Sequence, residues 1–254
     1  CVARASAQVL RATHGSTPGP AHGLPRMVAR MLRSVDLAGP ELLERTEAQL
    51  RAQGVVDPYE WLALAELMQP GTTDRVRPAQ ASERHALVGR LLARAAEARP
   101  VVVWMEDVQW GADALAFALH LLKLPAPILV LATVREDVLP QRRLEARLLD
   151  ALLQADGASE LAVLPLADVH HRALIDALLL LDGDLATQVA ERTQGNPLFA
   201  VQLMGDWVSR GVLEVGPRGF VLKPQERAAL PDDIHQLWRQ RVARVLEPFP
   251  RTAL

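Results

Sequence analysis

Unbroken apolar stretches are the main signal in the hydrophobic pattern of the chain. Val101–Met105 and 128–134 are the two longest runs that end abruptly at charged residues. Such runs are typical of strands that are buried on both faces of a parallel sheet. Shorter runs at 9–13 and 161–166 predict two further strands.

Apolar residues at helical spacing predict helices between and after these strands. The predicted helices cover 1–8, 25–32, 39–54, 57–68, 82–99, 115–122, 143–153, 170–181, 185–193, 197–210 and 231–246. Two short runs around a Gly/Pro turn at 216–219 predict a β-hairpin. Strands alternate with helices up to residue 166, which indicates an α/β fold with a parallel sheet. The predicted domains are an α/β core at 1–166, a helical part at 167–210, and the hairpin with its helix at 211–254.

Composition narrows the class of protein. The chain has 254 residues, of which 50% are hydrophobic, so it can form one large domain or two small ones. A net charge of −2 argues against general binding to nucleic acid or a membrane surface. The single cysteine, Cys1, excludes an intrachain disulfide and a cysteine-built zinc site. With no long apolar span and no signal-peptide pattern, we expect a cytoplasmic protein without membrane contact.

Two acids give the first chemical signal. Glu106 and Asp107 directly follow the apolar run 101–105. Acids at the carboxyl end of a parallel strand face the crevice in which α/β proteins bind ligands. Carboxylate oxygens there suit Mg²⁺, as in a Walker B strand. The alternative interpretation is a core strand whose acids cap the next helix.

Three segments in order resemble one family. Pro100–Trp110, Thr133–Arg135 and Gly195–Phe199 are similar to the STAND branch of the AAA+ ATPases. These ATPases are regulatory modules of large LuxR-type transcription regulators and of kinase- or cyclase-linked signalling proteins. The resemblance covers roughly residues 80–246. It implies a P-loop NTPase-like parallel sheet, a helical lid, and the start of a winged-helix-like region, with ATP and Mg²⁺ as cofactors.

The resemblance also implies roles for the residues of the first two segments. Glu106 would hold Mg²⁺ through water, and Asp107 would orient the attacking water. Thr133 would lie in the nucleotide site, and Arg135 would contact the γ-phosphate with its guanidinium fork. The alternative for Arg135 is a surface ion pair with one of the two acids that follow it.

The third segment would form part of a lid. Gly195, Asn196 and Pro197 resemble the GxP motif of the family, whose proline packs on adenine. We expect them between two helices, facing the carboxyl edge of the sheet. A capping glycine and a proline in the first turn of the next helix are a structural alternative, and both interpretations can hold together.

The sequence departs from the family at two points. Trp110-Gly111-Ala112-Asp113 is one residue longer than the usual Trp-Ala-Asp, so we expect Asp113 to be the N-cap of a helix and Trp110 to fill core. A P-loop needs Gly-Lys-Ser or Gly-Lys-Thr, and neither Lys123 nor Lys223 follows a glycine. We therefore expect a fragment that lacks Walker A, with natural loss of the loop as the rival account.

These expectations define one function and two alternatives. The complete parent would bind ATP–Mg²⁺, hydrolyse it slowly and switch a signalling or transcription output. Its partners would be the nucleotide and effector domains of the same chain, with possible self-association and with DNA bound only by another domain. One alternative is a degenerate, non-catalytic interaction scaffold. The other is a winged-helix DNA-binding module carried by the hairpin, Arg239, Arg241 and Arg244, although the apolar residues of that helix favour packing.

Topology leads to a prediction about the isolated chain. In the family the sheet order is 5-1-4-3-2, and the first strand would precede Cys1. Strands 128–134 and 161–166 would then lie about 10 Å apart, with their edges unpaired. Because each buried unpaired polar group costs about 1–3 kcal/mol, we expect an insoluble or marginally folded chain, measured by soluble yield and thermal melting. A direct ladder between these two strands in a cooperatively melting monomer would contradict this.

Overall fold

The computed structural model describes residues 7–17, 19, 22–76, 80–224, 231 and 233–246, without the side chains of 244–246. The chain divides into two units, Cys1–Glu160 and Leu161–Leu254. Most of the predicted helix at 1–8 lies outside the described residues, and Gln8 begins a strand instead.

A three-stranded parallel sheet forms the centre of the first unit. Its strands are β1 (Gln8–Thr13), β2 (Val101–Glu106) and β3 (Ile128–Ala132), in the order β1-β2-β3. The predicted α/β class, the parallel pairing and these three strands are confirmed. Among the described residues, β1 and β3 are the edge strands of the sheet.

Six α-helices accompany this sheet. They are α1 (Gly23–Met31), α2 (Gly39–Arg51), α3 (Pro58–Met68), α4 (Ala81–Ala98), α5 (Ala112–Leu121) and α6 (Arg143–Leu153). The Asp57 carboxylate caps α3 by accepting from the Tyr59 N–H (2.9 Å). Gln80 occupies the N-cap position of α4 and makes no side-chain bond there.

The sheet is buried on one face and exposed on the other. Leu10, Val103 and Met105 lie in the core, which α1, α3, α4 and α5 complete. On the opposite face Trp104 is 36% exposed and Leu129 is 55% exposed. The expectation that these apolar strands are buried on both faces is therefore wrong for the described part of the chain. Their continuous apolar sequence leaves an apolar surface on the sheet.

The second unit is helical with one hairpin. It contains α7 (Asp168–Leu178), α8 (Gly183–Thr193), α9 (Pro197–Arg210), the antiparallel strands β4 (Leu213–Gly216) and β5 (Gly219–Leu222), and α10 (Ile234–Leu246). These elements confirm the predicted helices and hairpin. Trp207 and Leu203 of α9 are buried in their common core.

Helix α10 packs through fewer apolar residues than its sequence indicates. Leu237 is buried in the core of the second unit. Trp238 and Val242 are exposed, so the expectation that they pack is wrong. Arg241 lies over the Trp238 ring and donates to Gln202 Oε1 (2.8 Å). The side chain of Arg244 lies outside the described residues.

The predicted strand at 161–166 is wrong. This segment is irregular, and Leu161 and Val163 are 87% and 92% exposed. Its sequence contains Pro165, which has no N–H to donate to a ladder. The Leu166 N–H instead donates to the carbonyl of Gly195 (2.9 Å), within the second unit. The expected gap between the two strands therefore has no strand on its far side. Among the described residues, the edge of β3 that faces away from β2 has no strand partner.

The helices of the described residues were compared with what a membrane-spanning helix requires. None of the helices there combines the length and the apolar character that crossing a bilayer requires.

A buried carboxylate connects α3 with α4 in the first unit. Glu60 is buried, and its two oxygens face Arg90 Nε (2.6 Å) and Arg94 Nη1 (3.2 Å). Burial raises the pKa of Glu60, but hydrogen bonds and charge from Arg90 and Arg94 outweigh it, so the pKa lies below the ordinary 4.5. The ion pair therefore stabilises the fold above pH 4.5.

We predict that Glu60→Gln lowers the free energy of unfolding by about 1–3 kcal/mol at pH 7, because two arginines lose a charged acceptor. The difference from the unsubstituted chain should disappear as the pH falls through the folded-state pKa of Glu60. Urea unfolding at pH 7 and pH 3 measures both effects. The control is Glu47→Gln, which removes an exposed pair with Arg51 and should cost less than about 1 kcal/mol. Equal losses in the two variants would contradict the assignment.

Candidate functional site

Polar side chains collect where the parallel strands end. The register places Thr13 beside Glu106 and Met105 beside Ala132, so the three strands finish at the same edge of the sheet. The residues that follow them make up what we call the carboxyl-edge cluster. Its members are His14, Glu106, Asp107, Gln109, Thr133 and Arg135. All belong to the first unit.

Asp107 adopts a left-handed backbone conformation at the end of β2. Its φ is 55° and its ψ is 44°, a region that non-glycine residues rarely occupy. The Asp107 N–H donates to Thr133 Oγ1 (3.2 Å), and the Val108 N–H donates to the carbonyl of Thr133 (3.0 Å). Strained backbone of this kind concentrates at functional sites. Thr133 is therefore joined to the acid pair through the backbone that follows β2.

Glu106 is paired with an arginine from the neighbouring strand. Arg11 Nε donates to Glu106 Oε2 (2.7 Å), and the Arg11 guanidinium lies 4.9 Å from the centre of the Trp104 ring. The three side chains lie on the exposed face of the sheet. Sequence reasoning missed Arg11, which is 95 residues from Glu106. A cation that approached Glu106 would compete with this guanidinium for Oε2.

Arg135 is held by an acid close to it in sequence. Its Nε and Nη2 donate to the two carboxylate oxygens of Asp137 (3.3 and 2.8 Å). These hydrogen bonds and the charge of Asp137 raise the pKa of Arg135 above its ordinary value, so the guanidinium stays charged. The ion pair expected as the alternative is thus present. A phosphate would have to displace Asp137 to take both donors.

Gln109 connects the acid to the arginine and was not among the expected site residues. It is fully buried, its Nε2 donates to Asp107 Oδ1 (3.1 Å), and its Oε1 accepts from the Arg135 N–H (3.1 Å). One side chain therefore fixes both predicted residues relative to each other. In the sequence, Gln109 is a single amide side chain between Val108 and Trp110, two positions after Asp107, and this was the sign that could have identified it.

His14 is a second residue that the sequence analysis missed. Its Nδ1 and its backbone N–H both donate to the carbonyl of Glu106 (2.8 and 3.1 Å). Burial lowers the pKa of His14 below 6.5, although the bond to Glu106 opposes the shift. A neutral imidazole therefore holds the end of β2. The indication in the sequence was its place at the end of the first predicted strand.

The residues after the acids differ from expectation. The N-cap of α5 is Gly111, not Asp113. Asp113 instead accepts from Nε2 of the buried His85 (2.9 Å), and this bond lowers the pKa of Asp113. Trp110 is half-buried with the Arg142 guanidinium 5.3 Å from its ring centre.

The predicted lid residues form a tight turn in the second unit. Gly195 has φ +75°, and a Cβ there would lie 2.6 Å from the carbonyl of Leu166. Asn196 caps α9 by accepting from the Phe199 N–H (3.0 Å), and Pro197 begins that helix. The capping interpretation is thus observed. Both Asn196 and Pro197 are exposed.

A buried histidine supports this turn. His171 Nδ1 accepts from the Gly195 N–H (3.2 Å), and its Nε2 donates to Thr193 Oγ1 (2.9 Å). The Thr193 hydroxyl donates in turn to the carbonyl of Val189 (2.7 Å). Sequence analysis did not select His171, which is one of two adjacent histidines in a predicted helix.

The donor groups limit what metal the cluster could hold. Within the described part of the chain, no group of three or more His, Cys, Asp or Glu side chains converges as a metal site. Glu106 and Asp107 fit a cation that is held mainly by water and ligand phosphates, as Mg²⁺ commonly is. They do not fit a metal coordinated by protein groups alone.

Comparisons with known proteins found no relative of this chain. No protein-family model, no curated protein and no solved structure matches the chain. A functional assignment therefore depends on the residues and their geometry.

We predict that Gln109→Leu lowers the free energy of unfolding by about 1–3 kcal/mol, because Asp107 Oδ1 and the Arg135 N–H both lose their partner. Denaturant unfolding of the purified chain measures this. Gln141→Leu is the matched control: its side chain is exposed, and the change should stay within about 0.5 kcal/mol. An unchanged midpoint in the Gln109 variant would show that the bridge contributes nothing.

Proposed function

We propose that this chain is part of a regulatory ATPase module of the STAND type, which binds ATP–Mg²⁺ and switches the output of attached effector domains. The observation that carries the proposal is the carboxyl-edge cluster. Two adjacent acids end the central strand, and Gln109 joins Asp107 to Arg135 from the next strand. Acid and arginine side chains held together at this edge suit phosphoryl transfer.

Each residue of the cluster has a role in the proposal. Asp107 orients the attacking water and accepts its proton, and the strained backbone fixes its direction. Glu106 would hold Mg²⁺ through water, and the ion would supply positive charge that neutralises the phosphate oxygens. Arg135 exchanges the carboxylate of Asp137 for the γ-phosphate, since both present two oxygens to a guanidinium fork. Thr133 keeps the Asp107 backbone in place.

The turn at 195–197 is proposed as the adenine contact. Its support is chemical: Pro197 is exposed at the start of α9, and Asn196 and Gly195 hold the backbone there. The apolar ring of a proline can pack on a purine face. Because the capping role and the adenine role use different atoms, one turn can perform both.

A non-catalytic interaction scaffold is the second candidate. Two observations favour it: Glu106 is neutralised by Arg11, and the 254 residues contain no Gly-Lys-Ser or Gly-Lys-Thr. A carboxylate paired with a guanidinium gives a cation less attraction. Measuring ATP hydrolysis distinguishes the ATPase from the scaffold, because only the ATPase hydrolyses the nucleotide.

We predict that Asp107→Asn, in the natural gene product that contains these residues, keeps ATP binding but lowers the hydrolysis rate by about 100-fold or more. Asparagine tolerates the left-handed backbone and can still accept from Gln109, so the fold should be preserved. Phosphate release and equilibrium binding of labelled ATP measure the two effects. Asp156→Asn changes an exposed acid outside the cluster and should leave both unchanged. Undiminished turnover in the Asp107 variant would contradict the role of the acid, and no turnover in the unsubstituted protein would favour the scaffold.

A further inference from the structure

A groove along the outer edge of β1 is lined by four arginines. The cavity has a volume of about 600 Å³ and is bordered by Gln8, Val9, Leu10 and Arg11 of β1 and by residues of α1. We call it the arginine groove, after Arg11, Arg30, Arg33 and Arg99. These come from β1, from α1, from the turn after α1, and from the end of α4.

The charge of the groove is unbalanced. Among the described residues that line it there is no Asp or Glu, although the whole chain carries a net charge of −2. Arg11 is paired with Glu106. Among the described residues, no carboxylate forms an ion pair with Arg30, Arg33 or Arg99. Within the described part of the chain, three exposed guanidinium groups without anionic partners therefore border one cavity, and a bound anion would offset their like charges.

Two of these guanidinium groups are already held in position. Arg30 Nη1 donates to the carbonyl of Arg11 (3.4 Å), and Arg99 Nη2 donates to Gln8 Oε1 (3.3 Å). Each bond uses one nitrogen of the guanidinium group, and the other N–H donors of the same group can still bind a ligand. Arg33 has a left-handed backbone with φ 52° just after α1, where the Ser34 N–H donates to the carbonyl of Ala29 (2.8 Å) and closes the helix end. Arg30 and Arg99 are thus oriented by neutral acceptors.

We propose that the arginine groove binds a small organic anion that carries a phosphate or diphosphate group. Guanidinium forks match phosphate oxygens through paired hydrogen bonds. A cavity of this volume fits a small molecule. Met27 and Met31 border the same space and offer apolar contact to the rest of the ligand. An added peptide strand fits less well, because Arg30 already occupies the carbonyl of Arg11 at this edge.

This site is separate from the carboxyl-edge cluster. It reaches Gln8 and Arg99 at the amino ends of β1 and β2, whereas the cluster follows their carboxyl ends. Arg11 lines the groove and also pairs with Glu106 of the cluster, so it is not used as a test position. The proposal does not depend on ATPase activity.

The test is calorimetric titration of the 254-residue chain with pyrophosphate at low salt. We expect saturable binding with one site, and a loss of affinity of about tenfold or more in R33Q/R99Q. The matched control is R143Q/R147Q, which removes the same charge from exposed positions on α6. Its affinity should stay within about twofold of the unsubstituted chain. Circular dichroism establishes that all variants are folded.

Three outcomes would overturn the proposal. The first is no pyrophosphate binding by the folded, unsubstituted chain. The second is an equal loss in R143Q/R147Q, which would show a response to net charge alone. The third is binding of a single-stranded oligonucleotide or an acidic peptide that depends on Arg33 and Arg99 while pyrophosphate does not bind.

Discussion

The parallel register of β1, β2 and β3 is the constraint on which the rest of the first unit depends. Because all three strands run in the same direction, their carboxyl ends bring together residues that are up to 120 or so positions apart in the chain. The position of His14 beside the Glu106 carbonyl follows from that register, as does the bond from Asp107 to Thr133. A shift of one residue would turn Leu10, Val103 and Met105 out of the core. The core and the cluster are therefore specified by the same pairing.

The sequence predicted local features well and pairings at a distance poorly. Apolar runs and turn residues located most helices and three strands, because periodicity reports which side of an element is buried. The segment 161–166 has strand-like composition, yet strand propensity depends on a neighbour that composition does not show. The Arg11–Glu106 pair and the arginine groove depend on residues from distant positions, so they leave no pattern along the chain. For the same reason Gln109 and His171 were missed: their importance lies in their partners.

The candidate site combines predicted residues with partners that restrain them. Glu106, Asp107, Thr133 and Arg135 all lie at one edge, as the strand ends indicated. Each polar group there already has a protein partner: Arg11 for Glu106, Gln109 for Asp107, and Asp137 for Arg135. Ligand binding at this edge would therefore be an exchange of partners, in which phosphate oxygens replace carboxylates and a cation replaces a guanidinium. Such exchanges cost little when the incoming group has the same charge and geometry.

The stacking of Arg11 on Trp104 has a consequence for observing this exchange. The indole is 36% exposed and lies under a guanidinium that also holds Glu106, so its surroundings change whenever Arg11 moves. Indole fluorescence responds to nearby charge and to water. Of the five tryptophans, Trp61 and Trp207 are buried in the cores of their own units and would contribute a constant background. Once Trp110 and Trp238 are replaced by phenylalanine, Trp104 is an intrinsic optical reporter beside the acid pair, and no attached dye is needed to follow the state of that carboxylate.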